Sequence, residues 1–150
     1  SSDVHCNLGV VLKKMGKFSE AADSFYKALS INPGVAEVHN NLGMVLAKLN
    51  RFDEAIASYN KALSINPKLA DAHFNLGNTM RGLGKLEKAA ASFRQALAIK
   101  PELSEATGTL GSVLLSMGDS QEGLAMEKKG FGVIEFSTNR GVSINQGSSQ

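Results

Sequence analysis

Apolar residues recur along the chain at steps of three and four, which is the spacing of one face of an α-helix. Two such runs fill the first 31 residues and consist of Leu8, Val11 and Leu12, then Ala21, Phe25, Ala28 and Leu29. The pattern predicts two helices, over about 2–15 and 18–31, whose apolar faces form a core. Gly16 lies between the two runs, and glycine adopts the left-handed turn that ends a helix at low cost.

This two-helix unit repeats every 34 residues. The three prolines of the chain, Pro33, Pro67 and Pro101, lie at that spacing, and each ends a second helix because the residue before proline is pushed out of the helical region. The same shift aligns Asn-Leu-Gly at 7–9, 41–43 and 75–77, alanine at 21, 55 and 89, an aromatic at 25, 59 and 93, and alanine at 28, 62 and 96. A fixed period of this length predicts a stacked repeat architecture.

These columns resemble the tetratricopeptide repeat (TPR), and the resemblance covers residues 2 to about 130. It implies an all-α fold, a right-handed superhelical solenoid of antiparallel helix pairs with about three and a half repeats. We assign one domain to 1–130, with repeats at about 2–35, 36–69, 70–103 and 104–130. One departure is that His5, His39 and His73 occupy the column where the family often carries tryptophan. Stacking would separate these rings by a helical layer, so we expect them to pack between the two helices of a repeat and not to bind a metal.

The fourth repeat is incomplete. Its first helix, over about 104–117, keeps the repeat pattern, but its second helix, over about 120–130, has Gly123, Glu127 and Gly130 in the alanine, aromatic and alanine columns. We expect Glu127 to face water and Gly130 to end the helix, which is either a polar cap or the start of a different domain. Residues 131–150 contain two strand-like segments and predict a short C-terminal hairpin or a disordered tail. Because the chain opens with Ser-Ser directly before a helix, we expect a fragment of a longer protein.

Composition narrows the function classes. Sixteen basic residues against fourteen acidic ones give a net charge of +2, and the four arginines are scattered, so we expect neither a nucleic-acid nor a membrane partner. Cys6 is the single cysteine, which excludes an internal disulfide and a multi-cysteine zinc site. No apolar run approaches the roughly 18 residues of a membrane span and no secretion signal opens the chain, so we expect a cytoplasmic protein.

Sequence motifs of enzymes are missing. The segment Gly82-Leu83-Gly84-Lys85 has the wrong spacing for a phosphate loop, and Gly130-Phe131-Gly132 lacks the last glycine of a dinucleotide fingerprint. There is also no His-Glu-x-x-His helix and no Gly-x-Ser-x-Gly elbow. We therefore predict no catalytic residues, no metal and no cofactor.

The first helix of each repeat lines the concave surface of such a solenoid, and a polar stripe opposite its apolar face predicts a groove. We assign to this groove Asn7, Val10, Lys14, Asn41, Met44, Lys48, Phe74, Asn75, Asn78 and Arg81. Acidic residues at the helix starts and basic residues at the helix ends border it, although both also complement the helix dipole. Asparagine is a poor helix-interior residue, so three on one exposed stripe point to binding. A side-chain amide offers a donor and an acceptor to the backbone of an extended peptide.

The asparagine row resembles the repeat region of the O-linked N-acetylglucosamine transferases, in which such a ladder holds substrate chains, and it lapses at Thr109. Our leading hypothesis is a non-catalytic protein-protein interaction module that binds an extended peptide or disordered segment in the concave groove. One alternative is the substrate-recruiting arm of a larger enzyme, such as a glycosyltransferase. Another is an assembly scaffold that self-associates through the open ends of its solenoid.

Overall fold

A computed structural model describes residues 1–118 and 120–131 of the chain. They belong to two compact units, Ser1–Pro101 and Glu102–Gln150, which are treated separately below. All regular secondary structure within the described residues is helical, which confirms the all-α prediction. The predicted hairpin or disordered tail falls almost wholly on 132–150 and lies outside the described residues.

The first unit consists of three helix pairs: α1 (Ser2–Lys14) with α2 (Phe18–Ile31), α3 (Ala36–Lys48) with α4 (Phe52–Ile65), and α5 (Ala70–Gly82) with α6 (Leu86–Ile99). Successive pairs also pack on each other, because α2 contacts α3, α4 contacts α5, and the first helices α1, α3 and α5 contact one another in turn. The helix bounds of the first pair agree with the predicted ones to within one residue. The repeats therefore stack as the sequence predicted.

Left-handed turns end the first helix of each pair. Gly16, where the turn was predicted, has a φ angle of 77°, and the corresponding Asn50 and Gly84 have φ angles of 59° and 75°. The turn brings the amide of the following residue close to a free carbonyl at the end of the helix, so the Lys17 N–H donates to the Leu12 carbonyl at 2.9 Å. The second helices end on an extended residue before proline, such as Asn32 with φ −136° and ψ 95°.

The core of each pair is an aromatic ring packed on a glycine. Phe25, Tyr59 and Phe93 are buried, and each ring lies against the glycine of the Leu-Gly columns: Gly9, Gly43 and Gly77. A Cβ atom at Gly43 would lie 2.6 Å from the Tyr59 ring, so a larger residue there would force the ring to move. Only glycine admits the ring at this point, and this explains why the two columns occur together.

Two of the three histidines hydrogen-bond to the loop that precedes their helix. His39 Nε2 lies 2.8 Å from the Pro33 carbonyl oxygen, and His73 Nε2 lies 2.9 Å from that of Pro67. The rings of these two histidines therefore tie the loop between repeats to the following helix, and their packing between the two helices of a repeat stays a prediction. Among the described residues, no group of three His, Cys, Asp or Glu side chains could hold a metal ion.

The core prediction was wrong for α1. Leu8 and Val11 are 47% and 53% exposed, whereas their counterparts Leu42 and Val45 on α3 are 3% and 0% exposed. The physical reason is that α2 packs on this side of α3. No described helix covers the same side of α1.

The second unit contains α7 (Ser104–Ser116) and α8 (Ser120–Phe131). In place of the missing aromatic ring, the backbones of α7 and α8 approach each other closely. A Cβ at Gly111 would lie 2.5 Å from the Glu127 nitrogen, and a Cβ at Gly123 would lie 2.9 Å from the Gly111 oxygen. Two predictions are corrected here. Glu127 is half-buried and accepts a hydrogen bond from Ser112 Oγ at 3.2 Å, and α8 continues through Gly130, which packs against the Gly108 backbone.

None of the helices in the described part of the chain is long and apolar enough to cross a membrane.

Candidate functional site

The ten predicted groove residues lie on α1, α3 and α5, the contacting first helices of the three pairs in unit 1. We call the surface that they form the amide face. None of the ten is buried. The exposed ones are Asn7, Lys14, Lys48 and Arg81, and the half-buried ones are Val10, Asn41, Met44, Phe74, Asn75 and Asn78.

Asn41 is oriented by a lysine from the preceding repeat. Lys13 Nζ donates to Asn41 Oδ1 at 2.7 Å and lies 3.9 Å from the Met44 sulfur. Burial, and to a smaller extent the neighbouring charge of Lys14, lowers the pKa of Lys13 below its ordinary value. Because the Asn41 oxygen is occupied, its amide N–H groups remain to donate to a ligand.

Asn75 is oriented in the opposite sense. Its Nδ2 donates to Asn40 Oδ1 at 3.1 Å, and Asn40 is buried on α3. The contact leaves the Asn75 side-chain oxygen free to accept a hydrogen bond. Successive asparagines of the amide face therefore present a donor at Asn41 and an acceptor at Asn75.

The backbone of Asn75 is also tied to the core. Thr79 Oγ1 donates to the Asn75 carbonyl at 3.1 Å, and the hydroxyl of buried Tyr59 hydrogen-bonds to Thr79. Burial raises the pKa of Tyr59 to about 12, against the opposing effect of that hydrogen bond. A chain of hydrogen bonds thus links the core of the second repeat to the amide face on the third.

Phe74 lies half on the amide face and half on the core. Its ring centroid is 5.7 Å from that of Phe93, with the two planes tilted by 52°. Such tilted pairs are favourable for aromatic rings. The contact holds Phe74 in place and leaves part of its ring for an apolar ligand group.

Acidic side chains border the start of the amide face. Burial raises the pKa of the Cys6 thiol, and the carboxylates of Asp3 and Glu37 raise it further. The acids of adjacent helices therefore act on one point of the surface. Among the described residues, neither carboxylate takes part in an ion pair.

Two residues that orient the asparagines, Lys13 and Asn40, were not among the predicted groove residues. The repeat register carries a signal for one of them, because Lys13 shares its column with Arg81, which the prediction included. Asn40 had no such signal, since its column holds Cys6 and Phe74 in the other repeats.

Family models of the tetratricopeptide repeat match residues 2–35 and 34–102. Together with the stacked helix pairs, these matches show that the chain belongs to the tetratricopeptide repeat family. No individually curated protein matches the chain.

Solved structures with the same fold include MamA, with 22% identity and a TM-score of 0.83 over 95% of this chain and 81% of that one. The first TPR domain of Spaghetti (RPAP3), bound to the HSP90 peptide SRMEEVD, has 26% identity and a TM-score of 0.76 over 78% of this chain and 93% of that one. The TPR domain of Arabidopsis OM64 has 24% identity and a TM-score of 0.76 over 77% and 96%.

Proposed function

We propose that this protein is a non-catalytic interaction module that binds an extended peptide or a disordered segment on the amide face. The observation that carries the proposal is the opposite orientation of Asn41, which presents a donor, and Asn75, which presents an acceptor. An extended backbone offers carbonyl and N–H groups in alternation, so it can satisfy both amides whatever its side chains. The partner is therefore a protein, recognised by its extended conformation.

Two further features support a peptide ligand. Val10, Met44 and Phe74 place half-buried apolar side chains beside the asparagines, where they can contact alternate side chains of an extended segment. A structurally similar TPR domain, that of Spaghetti, is bound to a seven-residue peptide. We propose for this chain a ligand of the same class, a peptide, but not the same peptide sequence.

The test begins with a peptide selected against the intact chain from a displayed library of random, unstructured peptides. Its affinity is then measured by fluorescence anisotropy for the wild type and for the variant with both Asn41→Ala and Asn75→Ala. We expect binding to weaken roughly tenfold, since two hydrogen bonds worth about 1 kcal/mol each are lost in part to water. Equal affinity would remove the amide face from the mechanism.

Asn60→Ala is the matched control, because Asn60 is an exposed asparagine on α4, outside the amide face. It should leave the affinity unchanged. Circular dichroism should show the same helix content for all the variants, which separates a lost contact from a lost fold.

A second candidate is the substrate-recruiting arm of a larger enzyme. It is favoured by the asparagine column, which resembles the repeats of the O-linked N-acetylglucosamine transferases at Asn7, Asn41 and Asn75. Both candidates use the same peptide-binding face, and we place both in the cytoplasm without a nucleic-acid or membrane partner. A catalytic domain encoded in the same reading frame would favour the enzyme arm, and fractionation of the native protein tests the location.

A further inference from the structure

The amide face lies between two rows of opposite charge. The first turns of its helices carry an acidic edge, which consists of Asp3, Glu37 and Asp71. The last turns carry a basic edge, which consists of Lys13, Lys14, Lys48 and Arg81. Lys13 is half-buried and the other side chains of both edges are exposed. Within the part of the chain that the structure describes, none of these charged groups takes part in an ion pair, so both edges are available to the charges of a ligand.

Both edges lie on the side of the helices that carries the asparagines. On α3, Glu37 lies four residues before Asn41 and Lys48 lies seven residues after it, and both steps return to the same side of a helix. The helix dipole does not require this shared side, because a charge complements the dipole from any side of the terminal turn. Along the helix axis, Asn41 is about 6 Å from the acidic edge and about 10 Å from the basic edge. Long side chains of a ligand held at Asn41 can therefore approach both edges.

The basic edge contains an ammonium group whose contacts are uncharged. Lys13 Nζ lies 2.7 Å from Asn41 Oδ1 and 3.9 Å from the Met44 sulfur. Burial lowers the pKa of Lys13, so its charged form is destabilised in the free protein. A carboxylate supplied by a ligand would stabilise that charge. This point of the amide face therefore favours an acidic residue of the partner.

Successive side chains of an extended chain point in opposite directions. An extended segment that crosses α1, α3 and α5 over the asparagines thus directs one side chain toward the acidic edge and the next toward the basic edge. We propose that the partner of the amide face is a segment in which basic and acidic residues alternate. The proposal rests on the peptide-binding function above and defines the partner by the order of its charges. Because such a segment is neutral overall, its net charge does not distinguish it from other neutral peptides.

Two fluorescent peptides of equal composition test the charge order: Lys-Glu-Lys-Glu-Lys-Glu and Lys-Lys-Lys-Glu-Glu-Glu. Anisotropy with the intact chain at low ionic strength should show that the alternating peptide binds about tenfold more tightly, because two charged side chains of the block peptide face an edge of like charge. Salt at roughly 0.5 M should reduce the difference, since it screens exposed charges. Equal affinities, or a difference that salt does not change, would overturn the proposal.

Charge reversal on the protein tests the acidic edge. We expect Glu37→Lys to weaken binding of the alternating peptide about fivefold, because it replaces an attraction with a repulsion. Asp53→Lys is the matched control, because Asp53 is also exposed in the first turn of a helix, α4, but lies outside the amide face. Both substitutions change the net charge equally, so equal effects on affinity would show that overall charge, and not the acidic edge, acts on the peptide.

Peptides selected from the random library separate failure of this proposal from failure of the proposed function. If selected peptides bind in a manner that depends on Asn41 and Asn75 and the alternating peptide does not bind, the charge order is wrong and the peptide-binding function stands. If no peptide depends on Asn41 and Asn75, the peptide-binding function fails and the charge order fails with it.

Discussion

At the residue scale, Tyr59 shows how one hydroxyl is accommodated in an otherwise apolar core. Phenylalanine fills the same column in the neighbouring repeats, at Phe25 and Phe93. Tyr59 hydrogen-bonds to Thr79 of the next repeat. The two earlier repeats have valine at the position of Thr79, namely Val11 and Val45. A buried hydroxyl without a partner costs about 1–3 kcal/mol, so the pair makes the substitution tolerable.

The raised pKa of Tyr59 makes stability depend on alkaline pH. Its pKa is about 12 in the folded chain, and an unfolded tyrosine titrates near 10, so the folded state holds the proton more tightly. The stabilisation is fully present below pH 10 and is lost as the pH rises toward 12. Relative to Tyr59→Phe, urea unfolding should show the wild type losing up to about 2–3 kcal/mol across that window. A difference in unfolding free energy that stays constant with pH would contradict this. The control is Tyr26→Phe, at a 43% exposed position, which should show the same pH dependence as the wild type.

At the scale of the element, α5 contains a matched pair of glycines with opposite roles. A Cβ at Gly77 would lie 2.7 Å from the Phe93 ring, whereas a Cβ at Gly82, the last residue of the helix, would meet nothing within 4 Å. Alanine gains up to about 1 kcal/mol over glycine within a helix, but overpacking a core costs about 1–3 kcal/mol. We therefore expect Gly77→Ala to lower the melting temperature and Gly82→Ala to raise it or leave it unchanged. The opposite order would mean that helix propensity, and not the ring-on-glycine contact, governs this position.

At the scale of the whole molecule, repetition determines what the sequence can reveal. Columns that recur in three repeats predicted the helix pairs, because each repeat adds evidence for the same local structure. Single-copy features were not predictable in this way. The Lys13–Asn41 and Asn75–Asn40 contacts depend on Lys13 and Asn40, whose columns hold other residue types in the other repeats. The contact of α7 with α8 depends on Gly123 and Gly130, where the earlier repeats have alanine. The exposure of Leu8 was missed because its burial in other repeats depends on a neighbour that α1 does not have among the described helices.

The first helices of the repeats are buried to different extents, which predicts a gradient of local stability along the first unit. α3 buries seven residues and contacts helices on both sides, whereas α1 buries only Gly9. Helices with few buried contacts open locally at low free-energy cost, so in dilute solution the amides of α1 should exchange with solvent faster than those of α3. Hydrogen exchange followed by mass spectrometry resolves the two helices in separate peptides. Equally slow exchange of α1 and α3 would contradict this gradient.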